Sequence, residues 1–162
     1  MKHIIFAAAV AAVCGMAAHA ADIVGNGDFL QGQYRWIADC RDQVLSAEFT
    51  DGELKIKRLK DGYARIYQDF AVSPGKYEFS FNVRMLTPKT VVHLWLIPKD
   101  GKNQFQEKNA LYLSAYYSDD KLKHCRRTVE IPAGTAGARL CITVNGSQAD
   151  AVIDDIKIEP KP

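Results

Sequence analysis

Three features of the sequence predict an all-β fold, a jelly-roll β-sandwich of two antiparallel sheets. Apolar and polar residues alternate over short runs. Turn-forming clusters interrupt the runs about every ten residues, and no segment keeps a 3.6-residue period over three turns. The composition, 48% hydrophobic and 25% charged, is that of a globular protein, and 162 residues suit a single domain.

The turns come first in the chain's punctuation. They are Gly25-Asn26-Gly27-Asp28, Asp51-Gly52, Asp61-Gly62, Ser73-Pro74-Gly75, Asp100-Gly101, Ser118-Asp119-Asp120, Pro132-Ala133-Gly134 and Asn145-Gly146. Between them the pattern predicts strands over 34–39, 43–49, 53–59, 63–72, 76–87, 90–98, 109–118, 122–131, 137–145 and 151–159. Strand count and spacing of this kind build a sandwich or jelly roll. No linker divides the chain and no internal repeat is visible.

Ahead of these strands, residues 1–20 read as a cleaved secretory leader. Lys2 and His3 precede an apolar run from Ile4 to Val13, and Ala18-His19-Ala20 supplies an A-x-A cleavage site. The run is too short for a membrane anchor. A buried N-terminal helix is the plain alternative. Cys14 raises a lipoprotein, but Ala11-Ala12-Val13 is a poor lipobox. The expected mature chain is a single domain, residues 21–162, secreted or periplasmic. It keeps Cys40, Cys125 and Cys141, of which one pair is expected to form a disulfide. Long spacings, with only His93 and His124 to join them, argue against zinc. The formal charge is +2, and removing the leader takes away Lys2 and no acid, leaving +1. That balance carries no footprint for nucleic acid or an anionic membrane.

Period-two reading assigns two faces to each strand. Phe79, Phe81, Val83 and Met85 face one way, with Ser80, Asn82 and Arg84 opposite. Val92, Leu94 and Leu96 alternate with Val91, His93, Trp95 and Ile97. Leu111, Leu113 and Ala115 alternate with Tyr112, Ser114 and Tyr116. Ala64, Ile66 and Phe70 alternate with Arg65, Tyr67 and Asp69, and Leu140, Ile142 and Val144 with Arg139, Cys141 and Thr143. The first set of each is the expected core. If the strands share a sheet, the second sets gather Asp69 and the eight candidate binding residues Arg65, Tyr67, Asn82, Arg84, His93, Trp95, Tyr112 and Tyr116 on one face. Aromatic rings stack on the C–H faces of sugars, while guanidinium, amide and carboxylate groups pair with hydroxyls. Exposed sheet faces also favour such residues for β-propensity alone.

Several segments, in order, resemble a known family. Asn26-Gly27-Asp28-Phe29 with Trp36 is similar to the opening of carbohydrate-binding modules of the cellulase-C type, families four and nine. Asp51-Gly52-Glu53-Leu54-Lys55-Ile56, then Ile66-Tyr67-Gln68 with Val72-Ser73-Pro74-Gly75-Lys76-Tyr77-Glu78-Phe79-Ser80-Phe81, resemble its middle. Thr128 to Gly134, Ala138-Arg139-Leu140 and the closing Val152-Ile153-Asp154-Asp155-Ile156-Lys157-Ile158 resemble its end. The resemblance implies a galactose-binding-like jelly roll that binds a glycan without cleaving it, in a cleft on one sheet. It also implies a structural calcium ion, for which Asp28 and Asp154 are the candidate ligands. Leu30 stands where the family has a glutamate, and Asp154 shares the parity of Ile156 and Ile158.

Catalytic motifs are absent. There is no G-x-S-x-G, H-E-x-x-H, P-loop or dinucleotide fingerprint, and the acids sit mostly in turns. His93 with Tyr112 or Tyr116 and Arg84 is the one group that could abstract a proton, as a lyase does. The expected function is therefore non-catalytic glycan binding. An envelope structural or protein-interaction domain with a protein partner is the alternative reading of the same fold.

Overall fold

The computed structural model describes residues 23–116 and 119–162, so the leader, Cys14 and Ser118 lie outside the described residues. Ten strands follow one another: β1 (Ile37–Asp39), β2 (Leu45–Thr50), β3 (Glu53–Arg58), β4 (Arg65–Phe70), β5 (Gly75–Met85), β6 (Val91–Asp100), β7 (Leu111–Tyr116), β8 (Lys123–Ile131), β9 (Thr135–Asn145) and β10 (Asp150–Pro160). Each predicted strand is present. The first is shorter than expected, because 34–36 turn instead and bury Trp36.

The strands form two five-stranded antiparallel sheets. The first runs β1-β4-β9-β6-β7 and the second β2-β3-β10-β5-β8. Most strand neighbours are distant in sequence, as in a jelly roll. The inner faces carry the expected apolar sets: Ile66, Leu94, Leu96, Leu140 and Ile142 from the first sheet meet Leu54, Ile56, Phe79, Phe81 and Val83 from the second. Burial of this kind is the main stabilising term, about 1.5–3 kcal/mol for each such side chain.

The N-terminal segment closes one end of the sandwich, and a few polar groups fix it. Asn26 Nδ2 donates to the carbonyls of Gly32 and Tyr34, and its Oδ1 accepts from Gln31 N, all at 2.9 Å. Trp36 Nε1 donates to the Asn26 carbonyl at 2.9 Å, and Phe29 packs on Trp36 and Phe49. Gln68, buried in β4, clasps the backbone of Gly25 from both sides: its Oε1 accepts from Gly25 N at 2.9 Å and its Nε2 donates to Gly25 O at 2.7 Å. Gly27 lies so close to β10 that any Cβ would collide with the Ile156 carbonyl.

Two expectations are corrected here. Strand β10 is irregular between Asp154 and Lys157, with Asp155 at φ 51°. This bulge breaks the alternation, so Ala151 and Ile153 join Ile156 and Ile158 in the core and Asp154 stays half-buried instead of leaning inward. No disulfide joins Cys40, Cys125 or Cys141. Cys125 belongs to the core from the second sheet, whereas Cys141 sits on the outer side of the first, so a whole sheet separates them.

Candidate functional site

Register decides what the outer face of the first sheet presents. Ile37 of β1 pairs with Tyr67 of β4, Tyr67 with Cys141 of β9, Cys141 with Trp95 of β6, and Trp95 with Tyr112 of β7. One row of mainly apolar side chains thus crosses all five strands. One level away, His93 pairs with Thr143 and with Ser114. Above these two rows lies a cleft of about 440 Å³. It is lined by Tyr63, Arg65, His93, Trp95, Ile97, Glu107, Ala110, Tyr112, Thr143 and Asn145.

Each lining group is held by its own strand or loop. His93 Nδ1 lies 2.8 Å from Ser114 Oγ, which fixes the ring and leaves the other nitrogen as its remaining polar atom. Burial holds the His93 imidazole below its ordinary value, so it is neutral at pH 7. Cys141 is fully buried below the row although it points outward. Its thiol is pushed up to about 11 by burial, against the opposing pull of Arg65 and Arg139, so it is an inert part of the floor.

The β4 side of the cleft is a ladder of rings and guanidinium groups. Arg65 lies 5.4 Å from the Tyr63 ring and 5.2 Å from the Tyr67 ring. Arg139 lies 3.9 Å from Tyr67 and 4.5 Å from Phe105. Asp69 then locks Arg139 with two bonds, from Nε at 2.7 Å and from the terminal amino group at 2.8 Å, and accepts from Lys99 Nζ at 3.0 Å. Burial pushes the Asp69 carboxyl up, but the bonds and charges of Arg139 and Lys99 outweigh it and hold the group below the usual carboxylate range. Phe105 reaches this point on the loop after β6, which Asp100 pins by accepting from Lys102 N, Gln104 N and Gln106 Nε2.

Six of the eight predicted binding residues share this face: Arg65, Tyr67, His93, Trp95, Tyr112 and Tyr116. Four of them line the cleft. Tyr67 is occupied by Arg139 and Arg65, and Tyr116 is exposed at the edge strand, away from the cleft lining. Asn82 and Arg84 are on the outer face of the second sheet, where Asn82 Oδ1 meets His124 Nδ1 at 2.9 Å and Arg84 meets Glu53 at 3.8 Å. The expectation that they share the aromatic face is corrected: alternation tells which side of its own sheet a residue faces, not which sheet the strand joins. The same separation removes Arg84 from any proton-transfer group with His93 and Tyr112.

Asp28 and Asp154 lie near one another at the seam between the N-terminal turn and β10. Burial raises the Asp154 carboxyl, and Asp155, Glu53 and Asp28 raise it further, while the Asp155 amide opposes them. Such an oxygen-only donor set fits a hard cation in chemistry. Among the described residues, no group of three or more Asp, Glu, His or Cys side chains is gathered as a metal centre, so backbone carbonyls would have to supply the remaining ligands.

No family model matches the sequence, and no curated protein matches it. Solved structures do match. A CBM4 module aligns with a TM-score of 0.64 at 13% identity, covering 85% of this chain and 99% of its own. The fold is that of family 4 and family 22 carbohydrate-binding modules. The family 22 likeness includes the CBM22-2 xylan-binding domain of Paenibacillus barcinonensis Xyn10C, with a TM-score of 0.60 at 18% identity over 83% of this chain and 97% of that one. The enzymatically active domain of bacteriophage CBA120 tailspike protein 4 also contains the fold, with a TM-score of 0.68 at 11% identity over 86% of this chain, which spans only 21% of that longer chain. The two carbohydrate-binding-module structures are matched over nearly their whole length, and the enzyme domain over a fraction.

On this module fold, sequence reasoning missed Tyr63, Ile97, Glu107, Ala110, Thr143 and Asn145 as cleft residues. Alternation already puts Ile97 and Thr143 on the outward face without singling them out for binding, and Tyr63 and Asn145 continue the same parity of β4 and β9. Glu107 and Ala110 come from the connection before β7, a short 3-10 turn with no readable period.

Proposed function

We propose that this protein binds a polysaccharide or oligosaccharide in the cleft on the outer face of the first sheet, without cleaving it. The observation that carries the reading is the cross-strand pair of Trp95 and Tyr112, side by side at the cleft, with Tyr112 55% exposed. Paired rings give a platform for sugar faces, and His93, Arg65, Thr143 and Asn145 supply polar groups around it. The fold match to glycan-binding modules supports the same reading. Trp95 and Tyr112 would supply stacking; His93 would donate or accept one hydrogen bond through Nε2. Binding would take place outside the cytoplasm, after removal of the leader at residues 1–20, and calcium at Asp28 and Asp154 would tie the N-terminal turn to β10.

Affinity electrophoresis and calorimetry of residues 21–162 against a panel of soluble polysaccharides tests the proposal. Binding to at least one glycan is expected, with about 2 kcal/mol lost in Trp95→Ala, since a sugar covers on the order of 80 Å² of the indole. That is roughly thirtyfold in Kd. A panel without binding, or binding unchanged by Trp95→Ala in a folded protein, would refute the assignment.

A further inference from the structure

Resting on that reading of the cleft, we propose that the glycan it takes is acidic, a uronate-containing chain whose carboxylate is gripped by Arg65. The cleft holds a cation that no carboxylate of the described residues pairs, its polar neighbour being the thiol of Cys141. Arg65 is half-buried at the cleft wall, next to the Tyr63 and Tyr67 rings. Its Nε is buried and meets no hydrogen-bond acceptor among the described residues. A buried donor without an acceptor is destabilising.

The neighbouring cations are spent internally. Arg139 and Lys99 share Asp69, and Arg127 donates to the Tyr112 carbonyl. Arg65 has no ion pair with a carboxylate of the described residues, and unlike Arg127 it lines the cleft. The flanking rings restrain its plane, so little rotamer freedom is lost when it binds. A planar fork held still beside a cavity matches a carboxylate, which accepts two parallel N–H bonds from the terminal amino groups. Hydroxyl pairs fit the same fork but bring no opposite charge to it. The opposite rim carries Glu107, so an acidic sugar enters with its carboxylate toward β4 and its apolar face toward Trp95.

The test compares uronate polymers with their own carboxyl-reduced counterparts. Polygalacturonate, alginate and glucuronoxylan, each native and reduced to the neutral sugar, are titrated into residues 21–162 at low salt. At least one native polymer is expected to bind about tenfold or more tighter than its reduced form, the scale of one charge-assisted bond. Arg65→Met, which keeps the stem between the rings, is expected to bring the native polymer and its reduced form to the same affinity, whatever it costs the two together. Arg65→Lys, with charge but no fork, is expected to restore part of it. If neutral glycans bind in a Trp95-dependent way and no native polymer is preferred, the acidic assignment fails and the glycan cleft stands. If no glycan binds, both fall. The wild-type comparison decides the matter even if an Arg65 variant fails to fold.

Discussion

Asp69→Asn is the sharpest probe of how the cleft wall is held. In the folded protein Asp69 accepts two bonds from Arg139 and one from Lys99, at 2.7–3.0 Å. Hydrogen bonds to charged groups stabilise by about 1.5–3 kcal/mol, but exposed ion pairs give only about 0–1. The Arg139 side chain is 14% exposed and that of Asp69 38%, so solvent screening discounts the gain to about 1–2 kcal/mol at pH 7. Urea denaturation should read this as a midpoint lowered by roughly 0.5–1 M with an unchanged slope. The pH dependence follows from the sign of the shift. The folded carboxyl is held below its ordinary value, so its contribution is complete above the unfolded value near about 4 and is lost as pH falls through the folded one. The gap between wild type and Asp69→Asn should therefore be full at pH 7 and narrow steadily below pH 4. A gap of the same size at pH 7 and pH 3 would show that lost packing, not charge, accounts for the effect and would refute the locked-ladder account.

Other perturbations test the frame around the cleft. Asn26→Ala removes three side-chain bonds from a residue at φ 56°, a region alanine disfavours, and should cost about 2–3 kcal/mol by urea denaturation; a loss below about 0.5 would show that the turn holds itself. Cys141, buried and pushed up to about 11, should resist iodoacetamide at pH 8 in the native protein and react on unfolding, and peptide mapping without reductant should find it as a thiol; a cross-link from Cys141 to Cys125 would contradict the sheet assignment. Calcium at millimolar concentration should raise the melting midpoint of wild type and not of Asp154→Asn, because the cation relieves the crowding of Asp28 and Asp154; equal midpoints with calcium and with chelator would remove the ion from the account.

The strands and their inward faces were legible because sandwich cores enforce period two wherever one side is buried. Phe79, Phe81 and Val83 are all buried as the alternation implies. The reading stopped where a local irregularity or a long-range pairing intervened. The bulge at Asp155 shifts the phase of β10 by one residue, and nothing in Val152 to Ile158 announces it. The partnership of β9 with β4 and β6 places Arg139 beside Tyr67, although 72 residues separate them in sequence. Phe105 and Glu107 come from a connection that owes its shape to Asp100, a residue legible only as a turn former.

The ladder also changes which aromatic residues can serve a ligand. From the sequence, Tyr67 and Trp95 look alike, both facing outward; in the fold they sit at the same level of the sheet with only Cys141 between them. Tyr67 is engaged by Arg139 at 3.9 Å and Arg65 at 5.2 Å, whereas no cation among the described residues is placed over the ring of Trp95 or Tyr112. A ring already bearing cations offers no open face for a sugar, so its part is to hold those cations still. Spending Tyr67 in this way costs the cleft one stacking platform. In exchange the guanidinium of Arg65 is oriented before any ligand arrives, and preorganisation of that kind lowers the entropy lost on binding. Such a division, with rings on β6 and β7 for the sugar face and rings on β4 for the cations, explains why the apolar row crosses five strands while the cleft engages only part of it.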